Sequence, residues 1–263
     1  MRTVRPKKSL GQHFLRDLAI SRAIADTVDS CATLPILEIG PGTGVLTQFL
    51  KLKDRPFKMV EIDHESVVYL HSRFPELRES IIEADFLTLH LESLFEGQPF
   101  VLTGNYPYNI SSQIFFKMLD NINLIPCCTG MVQREVACRI TASPGSKVFG
   151  ILSVFIQLWY NTEYLFTVNE NVFDPPPKVK SAVIRMTRNS RVSLECNSTL
   201  FRQVVKGVFG QRRKMLRNSI RSFLAKEIPL PDCKWLDKRP EQLSVDNFIE
   251  LTLQIQKVKN ITK

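Results

Sequence analysis

Asn105-Tyr106-Pro107-Tyr108 holds the residue types needed to activate a weak nitrogen nucleophile. An exocyclic adenine amine attacks poorly because its lone pair is delocalised into the ring. The Asn105 side-chain oxygen and the backbone carbonyls around Pro107 can accept its two N–H groups. Such bonding favours a pyramidal nitrogen, with the lone pair aimed at an electrophilic methyl group. Pro107 stiffens the loop, and Tyr108 offers a face on which a flipped-out base stacks. No strong general base is required, because the amine becomes acidic once methylated.

A second constellation supplies a cofactor site. Glu38-Ile39-Gly40-Pro41-Gly42-Thr43-Gly44 closes an apolar run and opens a helix, with glycines at alternate positions. Glycine lets the backbone turn tightly and approach a ligand without a Cβ clash. A dinucleotide fingerprint needs its third small residue one place later, and that place is Val45. The spacing therefore argues against NAD or FAD and for S-adenosylmethionine, which has no pyrophosphate to cradle. Glu61 lies 21 residues after Gly40 and ends the run Val60-Glu61-Ile62-Asp63, where a carboxylate can accept both ribose hydroxyls. Asp85, in Glu83-Ala84-Asp85-Phe86, can accept from the cofactor's adenine amino group.

These residues must sit on elements that bring them together. Apolar runs at 36–39, 57–62, 80–84 and 100–103 alternate with helical stretches at 45–52, 65–74 and 110–119. Ahead of them, 17–31 reads as an amphipathic helix capped by Asp17. This β-α-β alternation implies an α/β, Rossmann-like, mostly parallel sheet covered on both faces. Periodicity leaves Gly150–Tyr160 open between buried helix and buried strand. Late strands are expected at 162–168 and 181–186, and helices alone at 200–209, 214–224 and 244–256. The expected domains are 1–188, binding the cofactor and catalysing, and 189–263, small, helical and basic.

The charge follows the same division. The formal net charge is +9, made of +5 over residues 1–16, -4 over 17–188 and +8 over 189–263. An acidic-to-neutral middle between two basic ends suits a docked polyanion, with nucleic acid the first expectation. The six cysteines form no C-x-x-C pair and lack histidines at ligand spacing, so no metal site is expected and free thiols in a reducing cytoplasm are. The longest apolar run, Ile151–Tyr160, is half the roughly 20 residues that a membrane span needs. Neither a transmembrane helix nor a secretory leader is expected, because the basic N-terminus runs into Ser9-Leu10-Gly11-Gln12-His13.

The motifs, taken together, resemble the ribosomal RNA adenine dimethyltransferase family, in particular its bacterial small-subunit branch. Lys8-Ser9-Leu10-Gly11-Gln12-His13-Phe14-Leu15 is similar to the family's N-terminal motif, and the glycine turn, Glu61, Asp85 and Asn105-x-Pro107-Tyr108 follow in order. Gln133-Arg134-Glu135-Val136-Ala137, Pro144-Gly145-Ser146, Phe173-x-Pro-Pro-Pro-Lys178-Val179-x-Ser181-Ala182-Val183 and Phe209-x-x-Arg212-Arg213-Lys214-Met215-Leu216-Arg217-Asn218 extend the match over nearly the whole chain. The resemblance implies that His13 and Leu15 contact the cofactor alongside Gly40, Gly42, Gly44, Glu61, Asp85 and Asn105. It implies that Tyr108 and Phe173 sandwich the target adenine. It also implies a monomer acting on the small ribosomal subunit precursor, dimethylating two adjacent adenosines near the 3′ end of 16S rRNA. One departure is Tyr106, where the family usually has Leu; its bulk could narrow the pocket unless the side chain points away.

The segment 210–221 carries five cations (Arg212, Arg213, Lys214, Arg217, Arg221) and no acid, as expected of a phosphate-contacting helix start. Arg134-Glu135 reads as a structural pair at a helix start, and Lys178 as either an RNA contact or a cover for the proline loop. Three competing readings remain: a large-subunit (23S) methyltransferase of macrolide-resistance type, a non-catalytic RNA-binding assembly factor, and a dehydrogenase, which Val45 disfavours.

Overall fold

The computed structural model describes residues 4–7, 10–31, 33–224 and 228–261. Lys8 and Ser9 of the N-terminal motif lie outside the described residues. The chain forms two compact units. The first takes the described residues up to Ala137 together with Tyr160–Arg188; the second takes Cys138–Trp159 and the described residues from Asn189 onward.

The first unit is built on a sheet whose order is β4-β3-β2-β5-β6-β9-β7. Its strands are β2 (Ile36–Ile39), β3 (Phe57–Glu61), β4 (Ile81–Glu83), β5 (Val101–Gly104), β6 (Cys127–Gln133), β7 (Tyr160–Val168) and β9 (Ser181–Arg188). From β4 to β6 all pairs are parallel, while β9 runs antiparallel to both β6 and β7. Every residue of β2 and β5 is buried, as expected of strands covered on both faces. Helices α1 (Leu18–Asp26), α2 (Thr47–Leu50), α3 (His64–Arg73) and α4 (Ser111–Asp120) belong to the same unit. Asp17 caps α1 by accepting from the Ala19 and Ile20 N–H groups at 2.9 and 3.0 Å.

Register determines where chemistry can occur. β2 lies between β3 and β5, with Ile39 level with Val60 on one side and Gly104 on the other. The residues that follow these strands therefore emerge together at the carboxyl edge, where open α/β sheets bind ligands. A further two-stranded ribbon pairs β1 (Phe14–Leu15) with β8 (Phe173–Asp174), which ties the N-terminal arm to the proline loop. The Arg16 N–H donates to the Val172 carbonyl at 2.8 Å, and Arg16 also forms an ion pair with Asp174.

The second unit is helical: α6 (Ile151–Trp159), α7 (Ser198–Gly210), α8 (Leu216–Ser219) and α9 (Val245–Ile261). Phe155 of α6 faces Phe201 of α7 with ring centroids 6.3 Å apart. This resolves the open reading of Gly150–Tyr160 in favour of helix. It also corrects the expected division, because residues 138–159 cluster with the C-terminal helices rather than with the sheet. Between the units' segments, α5 (Arg134–Ile140) follows β6 directly.

Three expectations fail locally. Strand β6 was not anticipated, since Cys127-Cys128-Thr129-Gly130-Met131-Val132 is buried throughout and shows no alternation. The expected helix over 214–224 reduces to the four residues of α8 and a 3-10 turn at Ile220–Phe223. Cys31 and Cys127, with Cα atoms 6.0 Å apart, form a disulfide, which corrects the expectation of six free thiols for that pair. Cys128, Cys138, Cys196 and Cys233 are free.

Candidate active site

A cavity opens at the carboxyl edge of the sheet. Its walls include His13, Leu15, Gly40, Gly42, Glu61, Asp85, Asn105, Pro107 and Tyr108. Glu61 is buried at the end of β3, and both of its oxygens engage backbone: Gly42 N–H at 3.0 Å and Asp63 N–H at 2.9 Å. The carboxylate thus shapes the glycine turn, and its remaining acceptor capacity can meet hydroxyl donors. Burial raises the Glu61 carboxyl above its ordinary range, against the opposing pull of those backbone donors.

Gly44 is placed differently. It is absent from the cavity wall, and a Cβ there would lie 3.0 Å from Leu70 and overlap the Phe74 ring. With φ at +71°, the residue serves the close packing of the turn against α3. Asp85 uses one oxygen to accept from the Leu87 N–H at 2.8 Å, stabilising its own turn at the cavity.

The N-terminal arm forms another wall. Lys7 donates to the buried Asp63 at 2.5 Å, just past Glu61. Burial pulls the Asp63 carboxyl upward, but hydrogen bonds from Lys7 and Ser66 outweigh it and hold it below the usual range. His13 places its Nδ1 2.8 Å from the Pro175 carbonyl oxygen, and its own carbonyl accepts from Asn105 Nδ2 at 3.1 Å. That bond orients the Asn105 side-chain amide before any ligand arrives, and a backbone bridge to Met131 holds the residue in place. The Lys7–Asp63 latch was not foreseen; 56 positions separate the two, and nothing local links them.

Tyr108 stands half-buried with its ring 5.5 Å from that of His13, and its hydroxyl is bonded to Ser181. Phe173 is placed elsewhere. Only 3% exposed, it pairs with Leu15 across the β1–β8 ribbon and belongs to the apolar core. Tyr108 thus borders the cavity, whereas the Phe173 ring is buried beside Leu15 and does not line it.

The Tyr106 side chain points into the sheet. It is 1% exposed, and its hydroxyl donates to the Thr129 carbonyl at 2.8 Å beside Cys128 Sγ at 3.1 Å. Gly130 accommodates it, since a Cβ at that position would lie 2.8 Å from the Tyr106 ring. Burial pushes the Cys128 thiol up to about 12, so it remains a neutral neighbour.

In the second unit the five expected RNA contacts separate into two groups. Arg212 donates to the Lys147 carbonyl at 2.6 Å, Arg217 pairs with Asp237, and Arg221 donates to the Ile228 carbonyl at 2.7 Å. Arg213 and Lys214 are exposed on the turn after α7.

Residues 4–252 match the family model described as ribosomal RNA adenine dimethylase. The chain belongs to the ribosomal RNA adenine dimethylase family. It is 67% identical to the ribosomal RNA small subunit methyltransferase A of Phocaeicola vulgatus, over 97% of this chain and 91% of that one. Its identity to the Bacteroides fragilis protein of the same name is 64%, over 99% and 96%. A dimethyladenosine transferase from Plasmodium falciparum shares the fold, with a TM-score of 0.77, 24% identity, and 94% and 98% of the two chains covered. The 23S rRNA methyltransferase ErmE follows at a TM-score of 0.65 and 26% identity, over 92% and 100%. Membership implies S-adenosylmethionine as methyl donor, the cofactor that the glycine spacing pointed to.

Glu38 marks the floor of the dimethylase cavity. Fully buried, it accepts from the Thr47 hydroxyl at 2.7 Å, and burial, reinforced by the negative charge of Glu61, raises its pKa to about 8. The folded state therefore binds a proton that the unfolded chain, titrating near 4.3, has lost. Stability of the cofactor-free protein should fall as pH rises from about 4.5 to about 8 and level off above. Glu38→Gln should flatten that slope in urea unfolding, removing a loss of at most roughly 5 kcal/mol. Tyr106→Phe should lower stability by about 1–2 kcal/mol in the same assay, through the unmet Thr129 carbonyl, with the methyl-transfer rate retained.

Proposed function

We propose that this chain dimethylates the N6 amines of two adjacent adenosines in the 3′-terminal hairpin loop of 16S rRNA, within the small-subunit precursor. The observation that carries this reading is the Asn105-Pro107-Tyr108 loop at the carboxyl edge, held by His13 and Met131 beside the Glu61-braced glycine turn. Identity of 64–67% over nearly full length to proteins named for the small subunit favours that substrate over the 23S one. The enzyme would work as a monomer in the cytoplasm, where ribosomes are assembled. Among the described residues, no helix is long and apolar enough to cross a membrane.

The cavity's residues fit S-adenosylmethionine. Glu61 would accept the ribose hydroxyls, Asp85 the adenine amine, and Gly40, Gly42, His13 and Leu15 would close around the rest. When bound, the cofactor supplies a sulfonium methyl group. Asn105 Oδ1 is left free by the Nδ2 bond to His13, and would accept one N6–H of the target. A backbone carbonyl at Pro107 would accept the other, directing the lone pair to the methyl carbon. The C–S bond to that methyl would break as the N–C bond forms, leaving the thioether S-adenosylhomocysteine. The methylated amine would give its proton to water, and a second S-adenosylmethionine in exchange for the thioether would allow the second methylation. Tyr108 would support the flipped base from one face, with His13 adjoining.

Asn105→Ala should abolish methyl transfer to unmodified small-subunit particles while RNA binding persists; transfer near the native rate would sink the geometry. Arg213 and Lys214 are the cations left for phosphates on the turn after α7. Replacing both with Ser should weaken RNA binding and lower the salt slope by about 1.5. An unchanged slope would place the phosphate contacts elsewhere.

A further inference from the structure

Ser181 is the first residue of β9, and its side chain is completely buried. Because β9 alone runs against the other strands, its beginning lies at the edge where β6 and β7 end, level with Gln133 and Val168. Its hydroxyl meets the Tyr108 hydroxyl, 73 residues away in sequence. A buried serine needs only some hydrogen-bond partner, and strand backbone lies close by. Here the partner is instead the tip of an aromatic ring that borders the cavity.

We propose that Ser181 is a positioning residue of the methyl-transfer reaction, holding the Tyr108 ring in the place where the target base stacks on it. This rests on the reading of Tyr108 as the stacking surface. The hydroxyl lies on the ring's own axis, so a bond there fixes where the ring stands, and the preference of a phenol O–H for the ring plane biases its rotation as well. The near end is set by the loop: the Ile110 N–H donates to the Pro107 carbonyl at 3.2 Å, and the Ser111 hydroxyl to the Tyr108 carbonyl at 3.4 Å. With both ends held, the ring offers a preorganised face, and the base need not order it on arrival. Burial raises the phenol above its usual range, so Tyr108 stays neutral and able to donate throughout the working pH range.

The test is a double-mutant cycle on the full chain, using unmethylated small-subunit particles and S-adenosylmethionine. Ser181→Ala and Tyr108→Phe should each lower kcat/KM for the particle about five- to tenfold, the value of one ordinary hydrogen bond. KM for S-adenosylmethionine should not move, and the double variant should be no worse than either single one. An RNA hairpin with 2-aminopurine at the target position should be quenched less by Ser181→Ala than by the native enzyme. Additive losses, or full activity in either single variant, would overturn the proposal. If Ser181→Ala does not fold, Tyr108→Phe alone decides, since it removes the same bond and leaves the serine in place. Tyr108→Ala separates the two ideas: native activity there would defeat the stacking reading itself, whereas its loss beside a fully active Ser181→Ala would defeat only the positioning role.

Discussion

The site depends on one carboxylate whose oxygens are occupied by the protein's own backbone. Glu61 takes the Gly42 N–H from the loop after β2 and the Asp63 N–H from the loop after its own strand. Two neighbouring loops at the sheet edge are thus joined through a single buried side chain. Asp63 in turn receives Lys7, so the N-terminal arm is attached to the same point. A carboxylate buried without such donors would be strongly disfavoured, and the donors would be left wanting an acceptor. The cradle and its charge therefore stabilise one another.

The arm extends that arrangement to the catalytic loop. Its ribbon with β8 anchors Phe14 and Leu15, while His13 bonds forward to Pro175 and backward to Asn105. Glycine turn, arm, proline loop and Asn105 form a closed circuit of backbone and side-chain bonds. Chemistry that requires sub-ångström alignment of nitrogen and methyl carbon profits from such restraint.

Much of this was legible in the linear chain because strand ends announce themselves. Gly40, Glu61, Asp85 and Asn105 each close an apolar run, and in a parallel sheet such ends share one edge. What escaped had no local signature. Strand β6 is buried on both faces and broken by Thr129 and Gly130, so it shows no periodic pattern. The role expected of Phe173 comes from the resemblance alone, and its pairing with Leu15 is a contact between distant segments that no local pattern announces. Gly44 shared the spacing of Gly40 and Gly42 but answers to Phe74 and Leu70. Three of the five cations at 212–221 were indistinguishable by sequence from the other two, and their carbonyl and carboxylate partners appear only in the fold.

The chain passes between its two units three times, after Ala137, Trp159 and Arg188. Neither unit is thus a contiguous segment that a single cut could release. On a ribosome, β6 would emerge well before β9, the strand that must cover its edge. During that interval α6, with Val154, Phe155, Ile156 and Leu158 apolar, would also await α7 and α9. The nascent protein would carry an open strand edge until β9 was made, and an uncovered helix into its last quarter. Its vulnerable period during synthesis is set by topology rather than by length.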